Sequence, residues 1–222
     1  MRVARLHVVT DDATVAQPAF PARAAAVLEA GGARLALHLR AHAASARTLH
    51  GIAQALIPVA RASGAGLIVN DRVDIALAVE ADGVQLGVRS IPWRTVRSLL
   101  PDRAIGASVH GRVDALQAAA DGTDWLVLGT IYATASHPGT SLLGEVGLSG
   151  IAAVVATPVL AIGGVRPEHV PGLLAAGAHG AAVLSGIWHA LHPADAVQAY
   201  LAAFAGETAP AGEEGHTWKR SG

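Results

Sequence analysis

Two glycine-bearing turns late in the chain, Gly163-Gly164 and Ser185-Gly186, each follow a short apolar run and precede a helix-length segment. Glycine lets the backbone approach a ligand closely, and the free N–H groups where a helix begins favour an anion. Two such turns in tandem read as a phosphate cradle, although either pair alone also serves simply to start a helix. Other polar residues gather just past the remaining apolar runs: Thr10, Asp11 and Asp12; His38, Arg40 and His42; Asn70 and Asp71; Gln85; Ser108 and His110; then Thr130, Tyr132, Thr134, Ser136 and His137. Arg40 is a cation at the end of a buried run and wants an anionic partner, from the protein or from a ligand. His110 lies two residues beyond such a run, and an imidazole there gives and takes protons near neutral pH. Asp71 reads equally well as a helix cap, and His42 and His137 as solvated loop residues. His38, His42 and His110 do not have the tight spacing of metal ligands within one element.

The elements that must position these groups alternate along the whole chain. Apolar runs of four or five residues, bounded by Gly, Pro or polar residues, read as strands buried on both faces. They fall at 6–9, 35–39, 66–69, 83–86, 104–108, 125–128, 159–162 and 181–184. Helices are expected between them at about 21–30, 45–62 (capped by Ser45, with a kink at Pro58), 73–80, 93–100 (with Pro92 at its first position), 113–120, 148–156, 167–176 and 190–204. Eight strand–helix units predict a single (β/α)8 TIM barrel over 1–205, with a doubly wound open sheet as the alternative. The polar stretch 206–222 has no apolar period and reads as a disordered tail. The loop 129–147 is long enough to act as a lid.

Composition narrows the partners. The chain is 52% hydrophobic, with 16 Lys+Arg against 17 Asp+Glu and a net charge of −1, which gives no footprint for nucleic acid. There is no cysteine, so disulfides, zinc thiolates and a catalytic thiol are excluded. The first apolar run is too short for a signal sequence or a membrane span. A cytoplasmic enzyme that contacts no membrane is expected.

At the level of motifs the chain resembles the thiamine phosphate synthase superfamily. The matching stretches are LHVVTDD at 6–12, HLRAH at 38–42, NDRVDIAL at 70–77, DGVQLG at 82–87, IGASVH at 105–110, LGTIYATASH at 128–137, AIGGVRP at 161–167 and VLSGI at 183–187. The resemblance implies a barrel that acts on a thiazole phosphate in thiamine biosynthesis. Two branches are implied. The synthase joins an aminopyrimidine diphosphate to the thiazole phosphate and uses Mg2+. Its pattern Gln-x-Arg-x-Lys stands here as His38-Leu39-Arg40-Ala41-His42. Its second metal aspartate falls on Ser90 and a loop lysine on His137, while Asp71 and Ser108 are kept. The tautomerase aromatises a carboxythiazole phosphate by proton transfer, with a histidine in a Ser-Val-His motif.

Ser108-Val109-His110 and the missing cations favour the thiazole tautomerase branch, an isomerase without a cofactor, with His110 as acid/base and Arg40 on the substrate carboxylate. Asn70, Ser108, Thr134, Ser136, Gly163, Gly164, Ser185 and Gly186 would bind substrate and its phosphate. The alternatives are a Mg2+-dependent thiamine phosphate synthase, with Asp71 as metal ligand and protonated histidines replacing lysines, and a non-catalytic barrel that binds thiamine phosphate. Thiazole synthase is a candidate partner, and a homo-oligomer is expected.

Overall fold

Each expected strand is an apolar run that the fold buries almost completely. The strands are β1 (Leu6–Val9), β2 (Leu35–Leu39), β3 (Gly66–Asn70), β4 (Gly83–Leu86), β5 (Ala104–Val109), β6 (Trp125–Leu128), β7 (Val159–Ile162) and β8 (Gly180–Val183). In the computed structural model, which describes residues 3–134, 139 and 141–206, they pair in parallel in chain order and β8 closes onto β1. The open-sheet alternative is thereby excluded. The helices are α1 (Asp12–Val15), α2 (Phe20–Gly31), α3 (Ala46–Ser63), α4 (Val73–Ala78), α5 (Trp93–Leu99), α6 (Arg112–Ala120), α7 (Gly144–Ala152), α8 (Val170–Ala175), α9 (Ser185–Trp188) and α10 (Pro193–Ala205).

Alternation along each strand makes two cores. Leu6 and Val8, Leu35, Leu37 and Leu39, and Leu67 and Val69 pack outward with apolar helix residues such as Val27, Leu56 and Leu201. The intervening positions, among them Ala36, Ile68, Ala104, Trp125, Val127, Leu160 and Ala182, fill the barrel itself. That interior is narrow. A side chain at Gly106 would run into the amide of Gln85 and the indole of Trp125, and one at Gly83 would meet the Ala104 backbone.

The boundaries depart from the sequence reading for local reasons. α3 is capped as expected, Ser45 accepting from the Thr48 N–H at 3.1 Å, but it runs unbroken through the exposed Pro58. Pro92 is the N-cap of α5 rather than its first helical residue. β8 ends at Val183, the short α9 that follows it was not expected, and the helix expected at 190–204 is α10, started by Pro193. The short α1 was not expected; Asp11 caps it by accepting from the Thr14 N–H at 2.8 Å. Of the tail expected at 206–222, Gly206 is the C-cap of α10 and 207–222 lie outside the described residues. Of the lid loop, 135–138 and 140 also lie outside them. Its two ends meet where Leu143 N–H donates to the Thr130 carbonyl at 2.9 Å.

Candidate active site

The C-terminal ends of the strands bring together two kinds of surface. On the β7–β8 side the material is backbone. Gly163 and Gly164 have φ of +100° and +63°, a conformation that side chains resist. A Cβ at Gly163 would also stand 2.5 Å from Thr130 Cγ2. The β6 loop lies directly over this turn: Tyr132 N–H donates to the Gly163 carbonyl at 3.0 Å. The Tyr132 hydroxyl donates to Glu145 at 2.6 Å, and burial, reinforced by that carboxylate, pushes its pKa up to about 12. Ser185 and Gly186 are exposed at the start of α9.

Tyr200 is a residue that sequence reasoning missed here. Its hydroxyl donates to the Val165 carbonyl at 2.8 Å, and a Cβ at Gly186 would collide with that hydroxyl. One phenol therefore ties the two turns together. An isolated Tyr in an apolar helix gives no such signal.

On the β2–β5 side the material is side chains. Arg40, His42, Asn70, Asp71 and Arg72 line a cleft. Thr10 clamps the backbone of Arg40: the Arg40 N–H donates to the Thr10 hydroxyl oxygen at 2.8 Å, and that hydroxyl donates to the Arg40 carbonyl at 2.9 Å. The guanidinium has no ion-pair partner among the described residues. Asp71 is not a helix cap. Arg72 occupies that position, without a capping side chain, and Asp71 sits at φ +60°, in the left-handed region. Its Oδ1 accepts from the Ser90 hydroxyl and, at 3.4 Å, from the Gly87 N–H. Its Oδ2 faces His42 Nδ1 at 3.9 Å.

At the β5 end of this side stand Ser108 and His110. His110 Nδ1 is 3.1 Å from the Gly129 carbonyl, which can only accept, so Nδ1–H donates and Nε2 takes no part in that bond. Ser108 Oγ accepts from Gln85 Nε2 at 3.0 Å. Thr134 lies at the end of the described part of the β6 loop; Ser136 and His137 lie outside the described residues.

Below the mouth, inside the barrel, His7 and His38 are buried at 0% and 1% exposure. His7 Nδ1 and His38 Nε2 are 2.7 Å apart. Burial holds both imidazoles neutral: His7 is driven well below the ordinary histidine range and His38 to about 3. His38 therefore belongs to the barrel interior and is not a cation at the mouth. Its Nδ1 and the Asn70 Oδ1 are both buried without a hydrogen-bond partner among the described residues.

A sequence model described as thiamine monophosphate synthase matches residues 6–187. The chain belongs to that family. It is 43% identical over 160 residues to the thiamine-phosphate synthase of Moorella thermoacetica, covering 71% of this chain and 76% of that protein. It is 37% identical over 202 residues to the thiamine-phosphate synthase of Salinispora arenicola, covering 90% and 96%. Among solved structures it resembles the thiamine phosphate pyrophosphorylase from Pyrococcus furiosus, with a TM-score of 0.80, 31% identity and coverage of 91% and 96%. A 3-hexulose-6-phosphate synthase at 18% identity and TM-score 0.65 shares the fold alone.

These relatives overturn the tautomerase and isomerase assignment, which rested on one tripeptide and on three substituted positions. The geometry shows why the substitutions carried too much weight. Ser90 and His42 still gather around the Asp71 carboxylate, so the site keeps an ordered anionic centre without the aspartate or the lysine. The expectation of no cofactor, which followed from the tautomerase, loses its basis with it. Among the described residues no helix is long and apolar enough to cross a membrane.

Proposed function

We propose that this chain is a thiamine-phosphate synthase, a transferase that couples an aminopyrimidine diphosphate to a thiazole phosphate. The observation that carries the reading is identity of 37–43% to proteins of that name across 71–90% of the chain. The reaction forms a bond between the thiazole nitrogen and the pyrimidine's methylene carbon. It breaks that carbon's bond to the diphosphate oxygen, and the electron pair leaves with the diphosphate. Nothing is oxidised or reduced, and no proton need move at the thiazole nitrogen.

The two sides of the mouth suit the two substrates. The turns at Gly163-Gly164 and Ser185-Gly186 would hold the thiazole phosphate through backbone N–H groups. The cleft of Arg40, His42, Asn70 and Asp71 would take the diphosphate, with Arg40 free to pair with its oxygens. Mg2+ is compatible with this donor set. The described residues contain no cluster of three or more His, Cys, Asp or Glu, but Mg2+ is ordinarily held by one or two carboxylates together with substrate phosphates. Asp71 would supply the carboxylate, its Oδ2 being clear of the Ser90 and Gly87 contacts, and Ser90 a neutral hydroxyl. Bound there, Mg2+ would neutralise charge on the departing diphosphate. His110 then serves as a polar contact for substrate through Nε2 and not as the acid/base.

The test is incubation of the protein with both substrates, with and without Mg2+, following thiamine phosphate. Metal-dependent product together with one equivalent of pyrophosphate is expected. No product at any metal concentration would overturn the reading.

A further inference from the structure

The barrel interior contains one hydrogen-bond chain whose direction is fixed throughout. Trp125 Nε1–H donates to Gln85 Oε1 at 2.8 Å. Gln85 Nε2 donates to Ser108 Oγ at 3.0 Å. An indole can only donate, so the Gln85 oxygen must face Trp125 and the amide NH2 must face Ser108. Ser108 thus receives a hydrogen bond from below and its own proton has to go elsewhere. Among the described residues none accepts it. Ser108 is half-buried near the C-terminal end of β5, the end of the strand that meets the mouth. Gly106, two residues below on the same strand, has no alternative: any side chain there would occupy the space of both the Gln85 amide and the Trp125 indole.

We infer that Trp125 and Gln85, given room by Gly106, are positioning residues that fix the Ser108 hydroxyl as a hydrogen-bond donor to the substrate. The inference rests on the synthase reading for the identity of that substrate. β4, whose Gln85 holds Ser108, pairs with β3 beside Asp71 and stands across the barrel from β8, so the group addressed is a lone pair on the substrate of the Asp71 side, the aminopyrimidine diphosphate. A hydroxyl held in this sense favours an acceptor and disfavours a donor at the same point, because an opposed N–H would meet the Ser108 O–H head-on.

The polarity of the chain can be reversed at one atom. In Gln85→Glu the ionised side chain still accepts from Trp125 but now draws in the Ser108 proton. The nearest titratable groups facing it across Trp125 are His7 and His38, with ring centroids 5.4 and 6.2 Å from the indole; both stay neutral. Asp71 lies on the neighbouring strand end, where its backbone N–H donates to the Gln85 carbonyl at 2.9 Å.

The experiment is steady-state kinetics on Gln85→Glu, Trp125→Phe and Ser108→Ala, singly and with the first two combined with the third. Gln85→Glu and Trp125→Phe are each expected to raise KM for the aminopyrimidine diphosphate on the order of tenfold, leaving KM for the thiazole phosphate unchanged. Both effects vanish in the Ser108→Ala background. Effects that persist undiminished without the Ser108 hydroxyl would overturn the inference. If Gln85→Glu does not fold, Trp125→Phe decides by the same criterion. The indole N–H proton shift of Trp125 gives a readout independent of turnover: it should move in Gln85→Met and hold in Ser108→Ala. That shift tests the chain even if the wild-type protein makes no thiamine phosphate, which would count only against the synthase reading.

Discussion

The β7–β8 side of the mouth and the β2–β5 side handle charge with different materials. The first is built from backbone: glycines in left-handed conformations, a loop laid across them and a phenol that ties two turns together. The second is built from side chains, two of them held by other side chains: Asp71 by Ser90, and Ser108 by Gln85 and Trp125, while Thr10 clamps the backbone that carries Arg40. Backbone donors suit a phosphate that only has to be held. Side-chain groups with fixed polarity suit a substrate from which a charged group must leave. The difference extends into the barrel, where two neutral histidines lie under the side-chain half.

The largest expected effect tests that buried pair. His7 and His38 are neutral in the fold, His38 with a pKa of about 3, but titrate near 6.5 once unfolded. Between those values the unfolded chain binds more protons, so stability present above pH 6.5 is lost as the pH falls. Unfolding free energy from denaturant titration should drop by about 2 kcal/mol per histidine, roughly 4 in all, between pH 7 and pH 5. A flat profile would contradict the buried, neutral pair.

Asp71→Asn comes next. It keeps the shape of the side chain and removes the charge, so turnover should fall about 10²-fold with little change in thermal stability. An unaltered rate would remove Asp71 from the metal site. Gly163→Ala should then separate the two sides. The strained φ and the contact with Thr130 should raise KM for the thiazole phosphate about tenfold and leave KM for the diphosphate substrate unchanged. Equal effects on both would show that the halves are not independent. The smallest change belongs to His110→Ala, which loses one polar contact and should cost only a few-fold in kcat/KM.

The fold was legible because each strand is an apolar run buried on both faces, and eight of these interleaved with helices leave few architectures. The phosphate side was legible for a related reason: a backbone site is made of glycines, and glycines after a strand are visible in the sequence. The other half was not. Trp125 and Gln85 read as a strand residue and a polar strand end, 40 positions apart, and only closure of the barrel lays one against the other. His38 read as a residue at the mouth, yet alternation along β2 turns it inward onto His7. Ser90 and His42 read as losses, because their common partner, Asp71, becomes visible only once β3 and the loop after β4 are placed together. That misreading produced the tautomerase assignment.

The most direct test of the account sets Asp71→Asn and His110→Ala beside the wild-type protein in one assay, with both substrates and with Mg2+ present or withheld. The account predicts thiamine phosphate only when Mg2+ is present, near-complete loss in Asp71→Asn and most of the activity retained in His110→Ala. Product formed without metal, or activity abolished by His110→Ala and spared by Asp71→Asn, would contradict it.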